Sequence, residues 1–247
     1  MRSYGLIGYP LGHSFSRKFF TEKFLAENKL EQYLNFEIPE ISLLPSVIAN
    51  HEDLVGLNVT IPYKEKVLNF LDYLDPVAAG IGAVNTIRIL RKREGISLEG
   101  YNTDVFGFSE SLKPHLLPHH RKALVLGSGG ASKAVKYSLN QLGIEYLQVS
   151  RNSSREGTIS YDNLDQQIME EYTLIVNTTP LGTYPDIHSF PNIPFHWITS
   201  RHLMYDLVYN PAETRFLAFG KERGAAIKNG VEMLELQAIR SYEIWNQ

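Results

Sequence analysis

No cysteine occurs among the 247 residues, which excludes disulfides, thiolate nucleophiles and cysteine zinc sites. A strong charge of one sign is missing as well. The formal balance is −3, with 21% charged residues, so no polyanionic partner is implied. The one basic cluster, Arg91-Lys92-Arg93, runs into Glu94-Gly95 between two strand-like stretches and reads as a solvated hairpin turn rather than a nucleic-acid patch. Long apolar runs are also absent. Gly5, Gly8, Pro10 and Gly12 interrupt the first dozen residues, so neither a signal-type segment nor a membrane span is expected there. What is present, 43% hydrophobic residues over this length, suffices for two modest α/β domains, or one large one, with a well-buried core. The expectation is a cytoplasmic protein with no nucleic-acid or membrane partner, a monomer or a homodimer.

The most chemically loaded stretch is NVTIPYK, Asn58 to Lys64. Asn58 to Ile61 alternate like the end of a strand, and Pro62 suits the first turn of a helix. Thr60 and Lys64 would then sit at the carboxyl edge of an open sheet, where ligands of α/β proteins bind. Before it, Tyr4 to Gly8 reads as a strand, with Ser16 capping a helix whose Phe19, Phe20, Phe24 and Leu25 form one buried face. Ser14 and Ser16 either hold a substrate carboxylate at that helix N-terminus or simply cap it. His13 is either a base or a structural hydrogen-bonder. Tyr33 to Ile38 (strand) and Ser42 to Asn50 (helix) form a second β-α unit, and Asp53 to Ile61 is the strand into the heptapeptide. The helix expected from Pro62 turns Val67, Leu68, Leu71 and Leu74 inward, and Asp75-Pro76 starts another. GAVNTIRIL returns as a strand with Asn85 near its start, and Ile96 to Tyr101 pairs back to deliver Asn102 to Asp104. Asp104 either caps the next helix, Val105 to Leu117, or shares the Lys64 edge. His115 and His119 have a metal-ligand spacing, but Pro118 breaks the helix between them and no third ligand is apparent.

A second domain opens at Lys122. ALVLGSGGASKAV reads as strand, glycine turn (Gly127, Gly129, Gly130) and helix, followed by a strand from Glu145 to Val149. That order suits a dinucleotide pyrophosphate resting on the helix N-terminus, although Ser132 occupies the usual third-glycine position. An acidic residue about 20 positions past the turn would select a free ribose 2′-hydroxyl. Here the chain has Ser150, Arg151, Asn152, Ser153, Ser154 and Arg155 instead. Guanidinium groups pair with a 2′-phosphate, which points to NADP rather than NAD. Strands follow at Leu174 to Asn177, Leu203 to Val208 and Ala225 to Lys228. The final helix from Val231 carries Met233, Leu234, Leu236, Ala238 and Ile239. Gln237, on the side of Leu234 and Ser241, either meets a polar ligand or faces water.

Eight stretches in order resemble the shikimate dehydrogenase family: GYPLGHSFS from Gly8, NVTIPYK, GAVNT from Gly82, GYNTD from Gly100, GSGGASK, NTTPLG from Asn177, DLVYNP from Asp206 and NGVEMLELQA from Asn229. The resemblance implies a reductase of two domains, with an open α/β substrate domain at 1–106 plus 231–247 and a doubly wound Rossmann domain at 107–230. It implies NADP as cofactor and shikimate or 3-dehydroshikimate in a cleft facing the NADP domain. By the same resemblance Ser14 and Ser16 hold the substrate carboxylate, with Tyr209 nearby, and Thr60, Lys64, Asn85, Asp104 and Gln237 surround the ring hydroxyls. Gly127, Ser128, Gly129, Gly130 and Ala131 take the pyrophosphate, Arg151, Asn152 and Arg155 the 2′-phosphate, and Thr178, Leu207 and Gly230 border the nicotinamide. Lys64 and Asp104 carry the acid-base work as a pair, since a lysine is ordinarily an ammonium at neutral pH and can donate. Arg17 replaces the family's proline after the second serine. The runners-up are a quinate/shikimate dehydrogenase and a non-catalytic sensor of cyclohexene acids.

Overall fold

In the computed structural model, which describes residues 1–11, 15–152 and 157–247, the chain divides into two compact units. One is Met1–Thr103 with Gln237–Gln247, and the other is Asp104–Leu236.

The first unit is built around Arg2–Gly8 (β1), a strand buried along nearly its whole length. A strand covered on both faces needs apolar residues of both parities. Tyr4 and Leu6 accordingly enter one core with Phe20 and Phe24, and Ile7 enters the other with Leu44, Ile48 and Leu57. Phe15–Ala26 (α1) buries Phe20 and Phe24, four residues apart on one ridge. Leu25, expected inward, is 73% exposed, because one further residue turns it about 100° round the helix. Ser16 lies inside α1 rather than at its N-cap.

Glu31–Glu37 (β2), Leu44–Asn50 (α2) and Leu54–Val59 (β3) follow. The expected start of α2 at Ser42 is a short 3-10 turn, Ile41–Leu43. No α-helix begins at Pro62. The Ile61–Pro62 bond is cis, and Thr60 to Tyr63 forms a tight turn in which the Tyr63 N–H donates to the Thr60 carbonyl at 2.9 Å. Tyr63 is drawn into the core, its hydroxyl donating to the Ile38 carbonyl at 2.6 Å. Lys66–Phe70 is then only a 3-10 helix, yet Val67 is fully buried and Leu68, Leu71 and Leu74 pack against the same core.

Tyr73–Leu74 (β4) leads to Pro76–Ile81 (α3), where Asp75 caps Val77 and Ala78 and Gly82 ends the helix at φ +69°. Thr86–Lys92 (β5) and Gly95–Tyr101 (β6) are the expected hairpin, with Lys92 opposite Gly95. The sheet order is β2-β1-β3-β5-β6-β4.

The second unit has a sheet in which every pairing is parallel, ordered Ala226–Lys228 (β12), Leu203–Asp206 (β11), Leu174–Asn177 (β10), Lys122–Leu126 (β7), Glu145–Val149 (β8) and Thr158–Ile159 (β9). Residue parity sorts the apolar strands into two cores. Ala123, Val125, Val176 and Tyr205 face one side with Phe108 and Leu112 of Asp104–Leu112 (α4) and Val135 and Leu139 of Gly130–Gln141 (α5). Leu124, Leu126, Ile175 and Met204 face the other with Met169 of Gln166–Glu171 (α6) and Phe216 and Leu217 of Arg215–Glu222 (α7). Helices on both faces of a parallel sheet define a doubly wound, Rossmann-type fold.

Val231–Trp245 (α8) closes the chain. From Gln237 onward it belongs to the first unit, where Trp245 Nε1 donates to the Ile87 carbonyl at 2.9 Å and the indole stacks on Tyr4. No helix among the described residues is long and apolar enough to cross a membrane.

Candidate active site

The chain order in the second sheet reverses between β7 and β10, and the crevice outside the carboxyl ends of two such strands is where ligands settle. A cavity of about 580 Å³ lies there, lined among others by Gly127, Ser128, Gly129, Ser150, Arg151 and Thr178. Gly127 has φ +106°, and a Cβ on it would come within 2.9 Å of Thr178 Oγ1. Only glycine suits both restrictions. At Gly129 and Gly130 an added Cβ would enter open space, so backbone there lies bare at the start of α5. Ser132, in the third-glycine position, is buried and donates to the Gly129 carbonyl at 2.6 Å, bracing the turn from below. Ala131 is the second residue of α5.

The wall beyond β8 carries Arg151, an exposed side chain. Asn152 is exposed beside it, its N–H turned to Ser150 Oγ at 3.4 Å. Arg155 and Ser14 lie outside the described residues. Thr178 donates to the Leu126 carbonyl at 2.6 Å, tying the loop after β10 to the end of β7. Gly230 lies against Leu207: a Cβ there would come within 2.2 Å of the Leu207 carbonyl oxygen. Tyr209 is half-buried in the same loop after β11.

Three features of this unit escaped the sequence reading. Tyr161 and Asp162 line the cavity, as do Phe190 and Pro191. Burial pushes the Tyr161 hydroxyl pKa up, with the Arg151 charge opposing. Neither stretch carries a local pattern that would mark it, apart from the Ser160-to-Asn163 capping box. Asp206 is fully buried and its pKa is pushed up to about 6 by desolvation, against hydrogen bonds from Thr214, Val208 and Asn177.

In the first unit, Thr60 is fixed by its N–H to the Ile7 carbonyl at 2.9 Å and packs so close to Gly8 that a Cβ there would meet Thr60 Cγ2 at 2.5 Å. The Lys64 carbonyl accepts from Val84 N at 2.8 Å, and the Asn85 carbonyl accepts from Val59 N at 2.8 Å. Main-chain bonds thus bring the NVTIPYK and GAVNT stretches together. Asn85 is buried and its Nδ2 donates to Gln237 Oε1 at 3.2 Å. Ser16 is hydrogen-bonded to the Tyr33 hydroxyl. Asp104, in the second unit, opens α4 and is 5% exposed.

Residues 6–87 match the family model of the shikimate dehydrogenase substrate binding domain. The chain is 41% identical over 256 residues to the shikimate dehydrogenase (NADP(+)) of Carboxydothermus hydrogenoformans, covering 98% of this chain and 90% of that one. Among solved structures, shikimate dehydrogenase 1 of Peptoclostridium difficile superposes with a TM-score of 0.83 at 36% identity, over 100% of this chain and 92% of the other. The Thermus thermophilus enzyme, solved in complex with NADP(H) and shikimate, gives 0.85 at 32% identity, over 99% and 93%.

Proposed function

The chain belongs to the shikimate dehydrogenase family, and on that premise we propose that it interconverts 3-dehydroshikimate and shikimate with NADP as its nucleotide. The observation that carries the reading is the cavity at the reversal of strand order, with the Gly127 turn on one side and Arg151 on another. The residues present fit NADP. Bare backbone at Gly129 and Gly130 leaves room for a pyrophosphate at a helix N-terminus, and Arg151 and Arg155 supply guanidinium groups for a 2′-phosphate. NADPH, when bound, supplies the hydride that reduces the ketone carbon.

The chain's own residues do the rest. Gly127, Ser128, Gly129, Gly130 and Ala131 hold the pyrophosphate, Asn152 assists the arginines, and Thr178, Leu207 and Gly230 border the nicotinamide. Ser14 and Ser16 hold the substrate carboxylate with Tyr209, and Thr60, Asn85 and Gln237 bind the ring hydroxyls. Reduction leaves an alkoxide, and Lys64 Nζ gives it a proton; in the oxidative direction the same nitrogen takes the proton back. Asp104 shares this acid-base work.

The test is NADP-linked oxidation of shikimate by the wild-type protein, followed through NADPH formation. Lys64→Ala should lower kcat by roughly 10²- to 10⁴-fold and change the shikimate KM much less. Lys64→Arg should not restore it, because guanidinium keeps its proton too tightly. No NADPH from shikimate with the wild type would reject the function, and a near-normal kcat in Lys64→Ala would move the proton source elsewhere.

A further inference from the structure

Beneath Asn85 and Gln237 lies a buried polar cluster whose hydrogen-bond directions are set by backbone groups. The Thr103 N–H, which can only donate, meets Asn85 Oδ1 at 2.7 Å, which fixes that atom as the amide oxygen of Asn85 and its other terminal atom as Nδ2. Nδ2 then donates to Thr103 Oγ1 at 3.0 Å and to Gln237 Oε1 at 3.2 Å. This identifies the inward atom of Gln237 as its oxygen and turns the Nε2 group outward. Nε2 has no hydrogen-bond partner among the described residues.

Ser241 holds the arrangement from the helix side. Its hydroxyl donates to the Gln237 carbonyl one turn back, at 2.9 Å, so its lone pairs are left for the cluster. They accept from Asn58 Nδ2 at 3.0 Å and lie 2.8 Å from Thr86 Oγ1 and 3.1 Å from Thr103 Oγ1. Asn58 is itself oriented, since its Oδ1 accepts from the Tyr33 hydroxyl at 2.7 Å and its Nδ2 faces the Asn85 carbonyl. Ser241 is fully buried and Thr103 is 1% exposed, so neither faces a ligand.

We propose that Ser241 and Thr103 are positioning residues that lock Gln237 with its Nε2 group outward, so that this side chain recognises an oxygen acceptor on the substrate. The inference rests on the shikimate dehydrogenase reading and adds the polarity of one contact and the residues that impose it. Gln237 therefore tests the substrate for an acceptor, and an apolar or donor-only group at that place is rejected because the amide N–H would be left unpaired.

The experiment measures kcat and KM for shikimate, KM for NADP, and shikimate binding by calorimetry. It uses the wild type, Ser241→Ala, the near-isosteric Thr103→Val, Gln237→Ala, and each of the first two combined with Gln237→Ala. Both single variants should raise the shikimate KM by about 5- to 20-fold, the usual consequence of releasing a buried hydrogen-bonded group. Their kcat should stay within about threefold and their NADP KM within about twofold. In the Gln237→Ala background neither should weaken shikimate further, because a residue acting through Gln237 has nothing left to act on. Gln237→Glu, which offers only acceptors when ionised, should bind shikimate more weakly than the wild type even in about 0.5 M salt, where charge repulsion is screened.

Additive losses in the double variants, unchanged KM in both single variants, or wild-type affinity in Gln237→Glu would each overturn the inference. If Ser241→Ala does not fold, Thr103→Val decides. A wild type without shikimate turnover is a different result, since it rejects the function itself.

Discussion

Asp206 shows how burial acts on a carboxyl whose partners are all neutral. Asn177 Nδ2 at 2.9 Å, Val208 N at 3.0 Å and Thr214 Oγ1 at 2.6 Å donate to it. Each bond favours the carboxylate, yet desolvation dominates and the pKa rises from 3.8 to about 6. Between these values the native chain holds a proton that the unfolded chain has lost. Unfolding free energy from this group therefore falls as pH climbs from about 4 to about 6, by about 3 kcal/mol at 1.36 kcal/mol per unit. Asp206→Asn stays neutral throughout, keeps the acceptor for Asn177 and Val208, and lets Thr214 turn its hydroxyl to accept from the amide. It should remove this part of the slope and be at least as stable as wild type above pH 7. Denaturant unfolding at pH 4.5 and 7.5 checks this, and parallel pH dependence in the two proteins would contradict it. DLVYNP is conspicuous in the sequence, but nothing in it separates a buried aspartate from a capping one. The distinction depends on Asn177, which reaches Asp206 only because β10 and β11 pair in register. Gly127 was legible for the opposite reason, since a missing side chain at a turn is itself the local signal.

At the scale of elements, the strands were readable because their apolar runs and flanking turns are local, as the β5-β6 hairpin shows. The segment after Pro62 was not. Its inward residues were found, since Val67, Leu68, Leu71 and Leu74 all reach the core, while its geometry was set by the burial of Tyr63 against Ile38, a contact 25 residues distant. The end of α8 is a second case. Trp245 packs over β3 so tightly that a Cβ on Gly56 would lie 2.2 to 2.4 Å from three indole atoms. The ring is held by its bond to Ile87 and its stacking on Tyr4, so it has no easy retreat. Gly56→Ala should therefore destabilise the first unit by about 1–3 kcal/mol, the usual cost of overpacking. The midpoint of chemical unfolding measures it, and an unshifted midpoint would mean the helix end yields freely.

At the scale of the molecule, most of the proposed roles divide as the chain does, Asp104 and Tyr209 being substrate residues carried by the second unit. Thr60, Lys64, Asn85 and Gln237 belong to the first unit, and the phosphate turn, Arg151 and Gly230 to the second. If substrate and nucleotide are recognised by different units, variants should sort by ligand. Arg151 is the sharpest probe, because it lies in the cavity wall, is exposed, and on the proposed reading pairs with a 2′-phosphate that NAD lacks. Arg151→Ala should raise the NADP KM by about 10- to 150-fold, equivalent to about 1.5–3 kcal/mol for hydrogen bonds to a charged group. The KM for NAD, which has no phosphate there, should move by about twofold or less, and the shikimate KM should hold. Steady-state kinetics with both nucleotides at saturating shikimate make the comparison. Equal losses with NADP and NAD would place Arg151 against the part of the nucleotide they share. A loss confined to shikimate would mean that the division of labour between the units is not the one proposed.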